Sequence, residues 1–344
     1  MNLKKSLFAI LAGSVFFVSC SSDDDSNNEV IPTGDYVNGT FVLNEGYSSP
    51  SSASVSFIGA DGVVQQDIFT AVNPGKELGS YLQSMFFDDE RAFIISGQAN
   101  KVTIVNRYTF EFIASVEGNF DNPRYGAVAN SKAYITNSAN FANADDFLTV
   151  INLTDYTTTR IPLNDYAERI IEENDKLYIA NGYYNSGDSV TVFNPVSDTV
   201  ERVYELDVSP NSLEAEDNML YVLGENKIVR ISLASNQIVS SVNLPTADAR
   251  NITVEDGKSY YTDDTAVYVM AVNSPNAPAT PLFSYESTSQ FGAMYGFNVK
   301  DDKIYVADAG DFASDSNVYA YSLTGTLLNT YTVGVGPNGF YFND

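Results

Sequence analysis

Residues 173–194 read ENDKLYIANGYYNSGDSVTVFN. A polar turn, Asn174-Asp175-Lys176, opens the stretch. The β-rich run LYIA follows, a loop of Asn, Tyr and Gly interrupts, and the alternating run VTVFN closes it. That pattern predicts two short strands joined by a variable connection. The same shape returns at 88–106 (DDERAFIISGQANKVTIVN), 130–152 (NSKAYITNSANFANADDFLTVIN) and 216–232 (EDNMLYVLGENKIVRIS). It returns again at 255–273 (EDGKSYYTDDTAVYVMAVN) and 300–322 (KDDKIYVADAGDFASDSNVYAYS). A looser copy at 37–59, VNGTFVLNEGYSSPSSASVSFIG, opens the series. The pivot aromatics Phe41, Phe93, Tyr134, Tyr178, Tyr221, Tyr260 and Tyr305 lie mostly about 40 to 45 residues apart, the repeat length of four-stranded propeller blades.

A turn and a last strand, such as TVERVYEL at 199–206, complete each unit. No stretch carries a helical period with caps. Seven units predict an all-β chain folded as a seven-bladed β-propeller of four-stranded antiparallel blades, a ring that leaves only short, protected edges. The repeated Tyr and Phe positions are expected to pack between blades. The C-terminal GPNGFYFND has the look of an innermost strand, as does SPNSLEAED at 209–217, and no outer strands follow it. The first unit has outer strands without a clear inner one. The C-terminus is therefore expected to complete the blade that begins near Asp35.

Composition narrows the chemistry. Lys plus Arg is 18 against 44 Asp plus Glu, a net charge of −26, which disfavours nucleic acid and anionic lipid surfaces as partners. Histidine is absent and Cys20 is the one cysteine. An internal disulfide is excluded, and zinc sites of the usual ligand types and histidine general bases are too. The start, MNLKKSLFAILAGSVFFVSC, has a charged beginning at Lys4 and Lys5 and an apolar run from Leu7 to Val18 too short to span a bilayer. Ser19 precedes Cys20. This resembles a bacterial lipoprotein signal at 1–19, whose removal leaves Cys20 as the acylated N-terminus. Each buried lipid methylene is worth about 0.8 kcal/mol, so several acyl chains anchor nearly permanently. The following SSDDDSNNEV has linker composition, giving an acidic tether over 20–34 and one domain over 35–344. An acidic run directly after the lipid cysteine resembles the surface-export signal of Bacteroides-type outer-membrane lipoproteins, which implies display on the outer face.

Propeller ligands usually meet one rim, here the loops after each second strand and those entering each inner strand. The first set supplies Asn44 and Tyr47 (NEGYSSPSSAS), Asn140 and Phe141 (NSANFANADD), Tyr183 and Tyr184 (NGYYNSGDS) and Phe312 (DAGDFASDSN). The second supplies Arg124 and Tyr125 (NPRYG), Arg169 (YAERI), Arg250 (ADARN) and Tyr295 (AMYGF). These loops pair an aromatic face with amide or guanidinium donors, and together they suit a bulky ligand with flat apolar area and a polar fringe. Asn, Asp and Gly also serve turn geometry alone. Asp308, Asp311 and Asp315 share one loop, and Asp145 and Asp146 another. Oxygen clusters of that kind bind calcium in some proteins, but the spacing lacks the EF-hand pattern and its closing glutamate. Enzyme signatures are missing: there is no Ser-His pair, thiol base, phosphate loop or metal triad. No cofactor is expected, and the absence of Trp disfavours a quinone stacked on indole.

Beyond the signal, FVLNEGYSSPSSASVSFI at 41–58 and IYVADAGDFASDSNVYAYSLTGTLLNTYTVGVGPNGFYF at 304–342 carry a resemblance. They resemble the YncE-like seven-bladed surface lipoproteins of Bacteroides-type bacteria, and within these the cobalamin-binding BtuG family. The resemblance implies a non-enzymatic protein that captures a corrinoid and delivers it to a TonB-dependent outer-membrane transporter. A corrin is a wide ring fringed with amides, which Tyr and Asn satisfy and aromatic rings cover. With no histidine to displace the cobalt's ligand, capture would rest on contacts around the macrocycle. The alternative is a surface propeller that binds a glycan or a partner protein; a hydrolase is a third.

Overall fold

The seven copies become seven sheets in a computed structural model of the chain, which describes residues 32–47, 52–141, 143–183 and 186–344. Residues Thr33–Asp344 form one compact unit. Each sheet is a four-stranded antiparallel meander, and together they make a seven-bladed β-propeller. The inner strands of blades I to VII are Pro337–Asn343, Leu82–Phe87, Pro123–Ala129, Ile170–Glu173, Pro210–Glu216, Ala249–Glu255 and Gly296–Lys300.

Blade I is closed as the termini predict: Pro337–Asn343 pairs antiparallel with Gly39–Asn44. Asn343 fixes this closure. Its backbone oxygen accepts from Asn38 N at 2.8 Å. Its side-chain amide donates to Tyr36 O (2.6 Å) and Arg107 O (2.9 Å) and accepts from Arg107 Nε at 2.6 Å. Arg107 belongs to blade II, so one buried amide joins both chain ends to the next blade.

The polar turns have a backbone reason. Between the inner and second strands, Asn130-Ser131, Asn174-Asp175, Asp217-Asn218, Asp256-Gly257 and Asp301-Asp302 all have positive φ at both positions. Two such residues in succession make the type I′ hairpin turn, whose twist matches the strands it joins and which Asn, Asp and Gly tolerate best. The pivot aromatics fall inside the second strands, and each is at most 8% exposed. They pack between blades: Tyr178 shares one core cluster with Leu213 and Val222 of blade V, and Tyr221 shares another with Ile252 and Val254 of blade VI. Burying a side chain of this size contributes roughly 1.5–3 kcal/mol, which is why the position repeats. Where the ring is Tyr134, its hydroxyl donates to Pro195 O (2.9 Å) and Asp198 Oδ1 (2.7 Å) in the adjoining blade.

One element differs from expectation. Ile68–Val72 is a single turn of helix between blades I and II. Its cause is tertiary, since so short a helix has no stability of its own. Ile68 and Phe69 are buried beside Phe57 and Phe110. The Asn73 side chain donates to Phe69 O (3.1 Å) and Phe110 O (2.9 Å) and accepts from Phe112 N (2.8 Å). Among the described residues no helix is long and apolar enough to cross a membrane.

Candidate ligand-binding rim

The inner strands start at the same end of the ring where the second strands finish, so two kinds of loop converge around the axis there. Arg124, Tyr125, Glu168 and Arg169 come from the starts of blades III and IV, and Pro210, Asn211, Arg250 and Asn251 from those of blades V and VI. Phe291, Met294 and Tyr295 precede the inner strand of blade VII, while Gly182, Glu225 and Asp264 overhang from the second strands. They enclose a cavity of about 520 Å³.

Its floor is cross-linked between blades. Arg124 Nε donates to both carboxylate oxygens of Glu168 at 3.1 Å, and its Nη1 donates to Gln83 Oε1 at 2.6 Å. Gln83 Nε2 in turn donates to Tyr125 Oη at 3.2 Å. Burial pushes the Glu168 carboxyl up from the usual range, and the Arg124 charge and hydrogen bonds oppose that push. The Arg169 guanidinium lies over the Tyr125 ring, 4.4 Å from its centroid. Across the axis Tyr295 Oη donates to Glu45 Oε2. Burial raises both groups. Glu45 also receives Leu82 N on its backbone oxygen (3.1 Å) and donates its own N to Gly336 O (2.8 Å), so blades I, II and VII meet at this residue. Farther down the channel, Glu214 keeps partial solvent access yet is enclosed by the inner strands. Its carboxyl is pushed up to about 8, chiefly by burial. Tyr341 is likewise pushed up to about 12.

Neighbouring blades are also tied at the rim itself. Ser84 Oγ donates to Arg124 O (2.7 Å), Thr136 Oγ1 to Glu168 O (2.7 Å), Asn211 Nδ2 to Ala249 O (2.9 Å) and Asn338 Nδ2 to Leu82 O (2.8 Å). A rim held this way presents its side chains already ordered, which lowers the entropy cost of binding.

Five of the residues expected from sequence line the cavity together: Arg124, Tyr125, Arg169, Arg250 and Tyr295. Phe312 packs its ring edge on Tyr295, centroids 5.1 Å apart. Phe141, 45% exposed, stands 6.0 Å from the Arg124 guanidinium, and Asn140 is exposed beside it. Tyr47 is exposed and leans on Tyr81, away from the lining. Asn44 is a correction. It is fully buried, with its amide donating to Ser54 Oγ (3.1 Å) and Ser56 Oγ (3.0 Å), and has no surface to offer a ligand. Asn137 ends its second strand in the same buried way, and Asn181 is buried two residues before the end of its own, so this repeated Asn serves the strand rather than a ligand. Cys20 with its signal and nearly all of the tether, Tyr184, and the Tyr183 side chain lie outside the described residues.

Sequence reasoning missed Glu45, Gln83, Glu168 and Phe291. Phe291, 78% exposed after the polar run ESTSQ, had a readable signal: a large apolar side chain where turn chemistry needs none. The acidic loop at 308–315 uses its carboxylates internally. Asp308 Oδ1 accepts from Gly310 N (2.8 Å), and Asp311 Oδ1 accepts from Ala313 N, Ser314 N and Ser314 Oγ (each 2.9 Å). Among the described residues no three acidic side chains converge as a cation site needs.

A family model described as a domain of unknown function, DUF5074, matches residues 38–342. No curated protein matches the chain in sequence. Among solved structures, a quinonprotein alcohol dehydrogenase-like protein of Bacteroides thetaiotaomicron is similar, with TM-score 0.68, 17% identity, and coverage of 90% of this chain and 79% of its own. A functionally unknown protein of Desulfotomaculum acetoxidans has TM-score 0.68 at 12% identity, over 89% of this chain and 98% of its own. Virginiamycin B lyase of Staphylococcus aureus has TM-score 0.59 at 13% identity, over 76% and 92%. In all, 1126 solved chains match, so the likeness identifies a scaffold and leaves its ligand open.

Proposed function

The chain belongs to the DUF5074 family, and from its propeller and the ordered rim we propose a capture protein without catalytic activity. Its ligand is a corrinoid, held on the inner-strand rim. The protein is lipid-anchored at Cys20 on the outer face of the outer membrane, and it passes the ligand to a TonB-dependent transporter. The observation that carries the reading is the cavity over the Arg124–Glu168–Tyr125–Arg169 floor. It combines a flat aromatic and guanidinium surface with amide donors and acceptors, and exposed Phe141 and Phe291 extend that surface outward. A corrin is broader than the cavity, so its edge would seat within and its face would rest on these rings. Aromatic rings supply such contact at low entropy cost.

The test is retention of colour. Purified protein mixed with cyanocobalamin and filtered is expected to hold the red chromophore, with a matching binding heat at micromolar protein. Tyr125→Ala, taken at unchanged melting temperature, is expected to weaken binding at least tenfold, about 1.4 kcal/mol. Absence of both colour and heat with the wild type would replace the corrinoid with a glycan or a partner protein as the captured species.

A further inference from the structure

We infer that Arg169 is the point at which the rim reads an anionic group, a phosphate or a carboxylate, on the captured molecule. Arg169 is half-buried in the cavity floor, and its side chain makes no hydrogen bond or ion pair among the described residues. Other arginines differ. Arg124 is engaged by Glu168 and Gln83, and Arg250 by Asp248 at 2.8 Å. Arg160 and Arg202 also lack such partners but stand exposed on outer strands, where water serves their donors. A guanidinium has five N–H donors in a fixed plane that fits two oxygens of one anion. Here the Tyr125 ring supports that plane from one side, 4.4 Å away, so the fork is held before any ligand arrives.

The surrounding carboxylates leave this charge available. Glu168 is gripped by Arg124 through both oxygens. Glu214 makes no hydrogen bond or ion pair with Arg169 among the described residues, and burial pushes its carboxyl up against the opposing pull of the Arg169 charge. Glu225, Asp248 and Asp264 line the wall formed by blades V and VI, with Asp248 held by Arg250. The cavity is therefore polarised: an anion is drawn to Arg169 and repelled from the carboxylates of blades V and VI. This inference rests on the rim being the ligand site and is independent of which macrocycle or chain carries the anion.

Calorimetry and NMR on the whole protein separate the two readings. Phenyl phosphate and benzoate are expected to bind the wild type saturably at millimolar concentration, and benzyl alcohol is not. The stronger of the two anions identifies the preferred group. Arg169→Gln is expected to lose both, and Arg169→Lys, which keeps the charge without the flat fork, to fall between. Cyanocobalamin, which carries a phosphodiester, is expected to bind Arg169→Gln at least tenfold more weakly, while dicyanocobinamide, which lacks it, changes less than twofold. If aryl anions bind and cyanocobalamin does not, the corrinoid reading falls and the anion site stands. If cyanocobalamin binds wild type and folded variants equally, the anion site falls and the corrinoid reading stands. Failure of the wild type to take up either aryl anion overturns the inference. If neither variant folds, a saturable shift of the wild-type arginine Nε–Hε resonances with phenyl phosphate decides, and its absence counts against the site.

Discussion

Two walls of one cavity are built from the same sequence signal and behave differently. Arg124 and Arg250 both sit at the start of an inner strand. On the wall of blades II to IV, the Arg124 and Glu168 side chains are 20% and 10% exposed, and the pair is cross-linked to Gln83 and Tyr125. On the wall of blades V and VI, Arg250 and Asp248 are 63% and 60% exposed and bond only locally, two residues apart. The first pair joins blades; the second decorates an edge. Burial and span, rather than residue type, decide what an ion pair contributes: an exposed pair is worth about 0–1 kcal/mol, whereas breaking a buried one leaves an uncompensated charge.

The comparison breaks first on stability. Arg124→Ala is expected to lower the unfolding free energy by about 3 kcal/mol, because Glu168 loses its partner while still buried. Arg250→Ala is expected to change it by less than about 0.5 kcal/mol. Paired urea melts measure both, and equal losses would dissolve the distinction between the walls. Tyr295→Phe comes next, with an expected loss of about 1–2 kcal/mol, because Glu45 keeps a buried carboxylate and loses its donor. That deficit should shrink as pH falls toward about 4.5, because burial raises the folded Glu45 carboxyl, which takes up its proton before the unfolded one does.

The wild type itself supplies a smaller, continuous test. Asp146 and Glu214 are raised to about 7 and about 8 in the folded chain, mainly by burial. The native state thus holds protons that the unfolded chain has already released, so the stability these two groups contribute is fully present below the unfolded carboxylate range and is lost as pH rises through about 7 and about 8. Thermal melts from pH 5 to 8.5 should drift downward, and Asp146→Asn with Glu214→Gln should flatten the slope. A rising profile would contradict the enclosure of these groups. The smallest effect belongs to Phe291→Ser. Its ring is mostly in solvent, so stability should stay within about 0.5 kcal/mol while ligand affinity drops.

The fold was legible because a propeller repeats its constraints. One buried ring per blade and one I′ turn in most blades recur at a fixed period, and each copy corroborates the others. Sequence reasoning misjudged Asn44 as a contact because its repetition was not weighed: a buried Asn at or near the end of three second strands, as in Asn44, Asn137 and Asn181, answers a demand common to blades, whereas a ligand is met unevenly. Arg124, Arg169 and Arg250 could be read because cations are scarce in this chain. Their partners could not. Gln83 and Glu168 lie more than 40 residues from the residue they meet at the Arg124 hub, and in a chain with 44 acidic residues one carboxylate does not announce itself. Contacts between blades are made by the geometry of the ring, which no local window contains.

The hold of Asn343 on Tyr36, Asn38 and Arg107 also sets a timetable. The strand Gly39–Asn44 is among the first parts of the domain to be synthesised, and its inner neighbour is the last. Bringing such distant ends together in an unfolded chain would cost about 5 kcal/mol of loop entropy for a separation near 300 residues. The six blades between them remove most of that cost if they form first and carry the ends into register. Blade I is then the final event of folding. Until Pro337–Asn343 is made the ring stands open, the first strand lacking its inner partner, and a chain that stops before that strand yields a propeller with a gap.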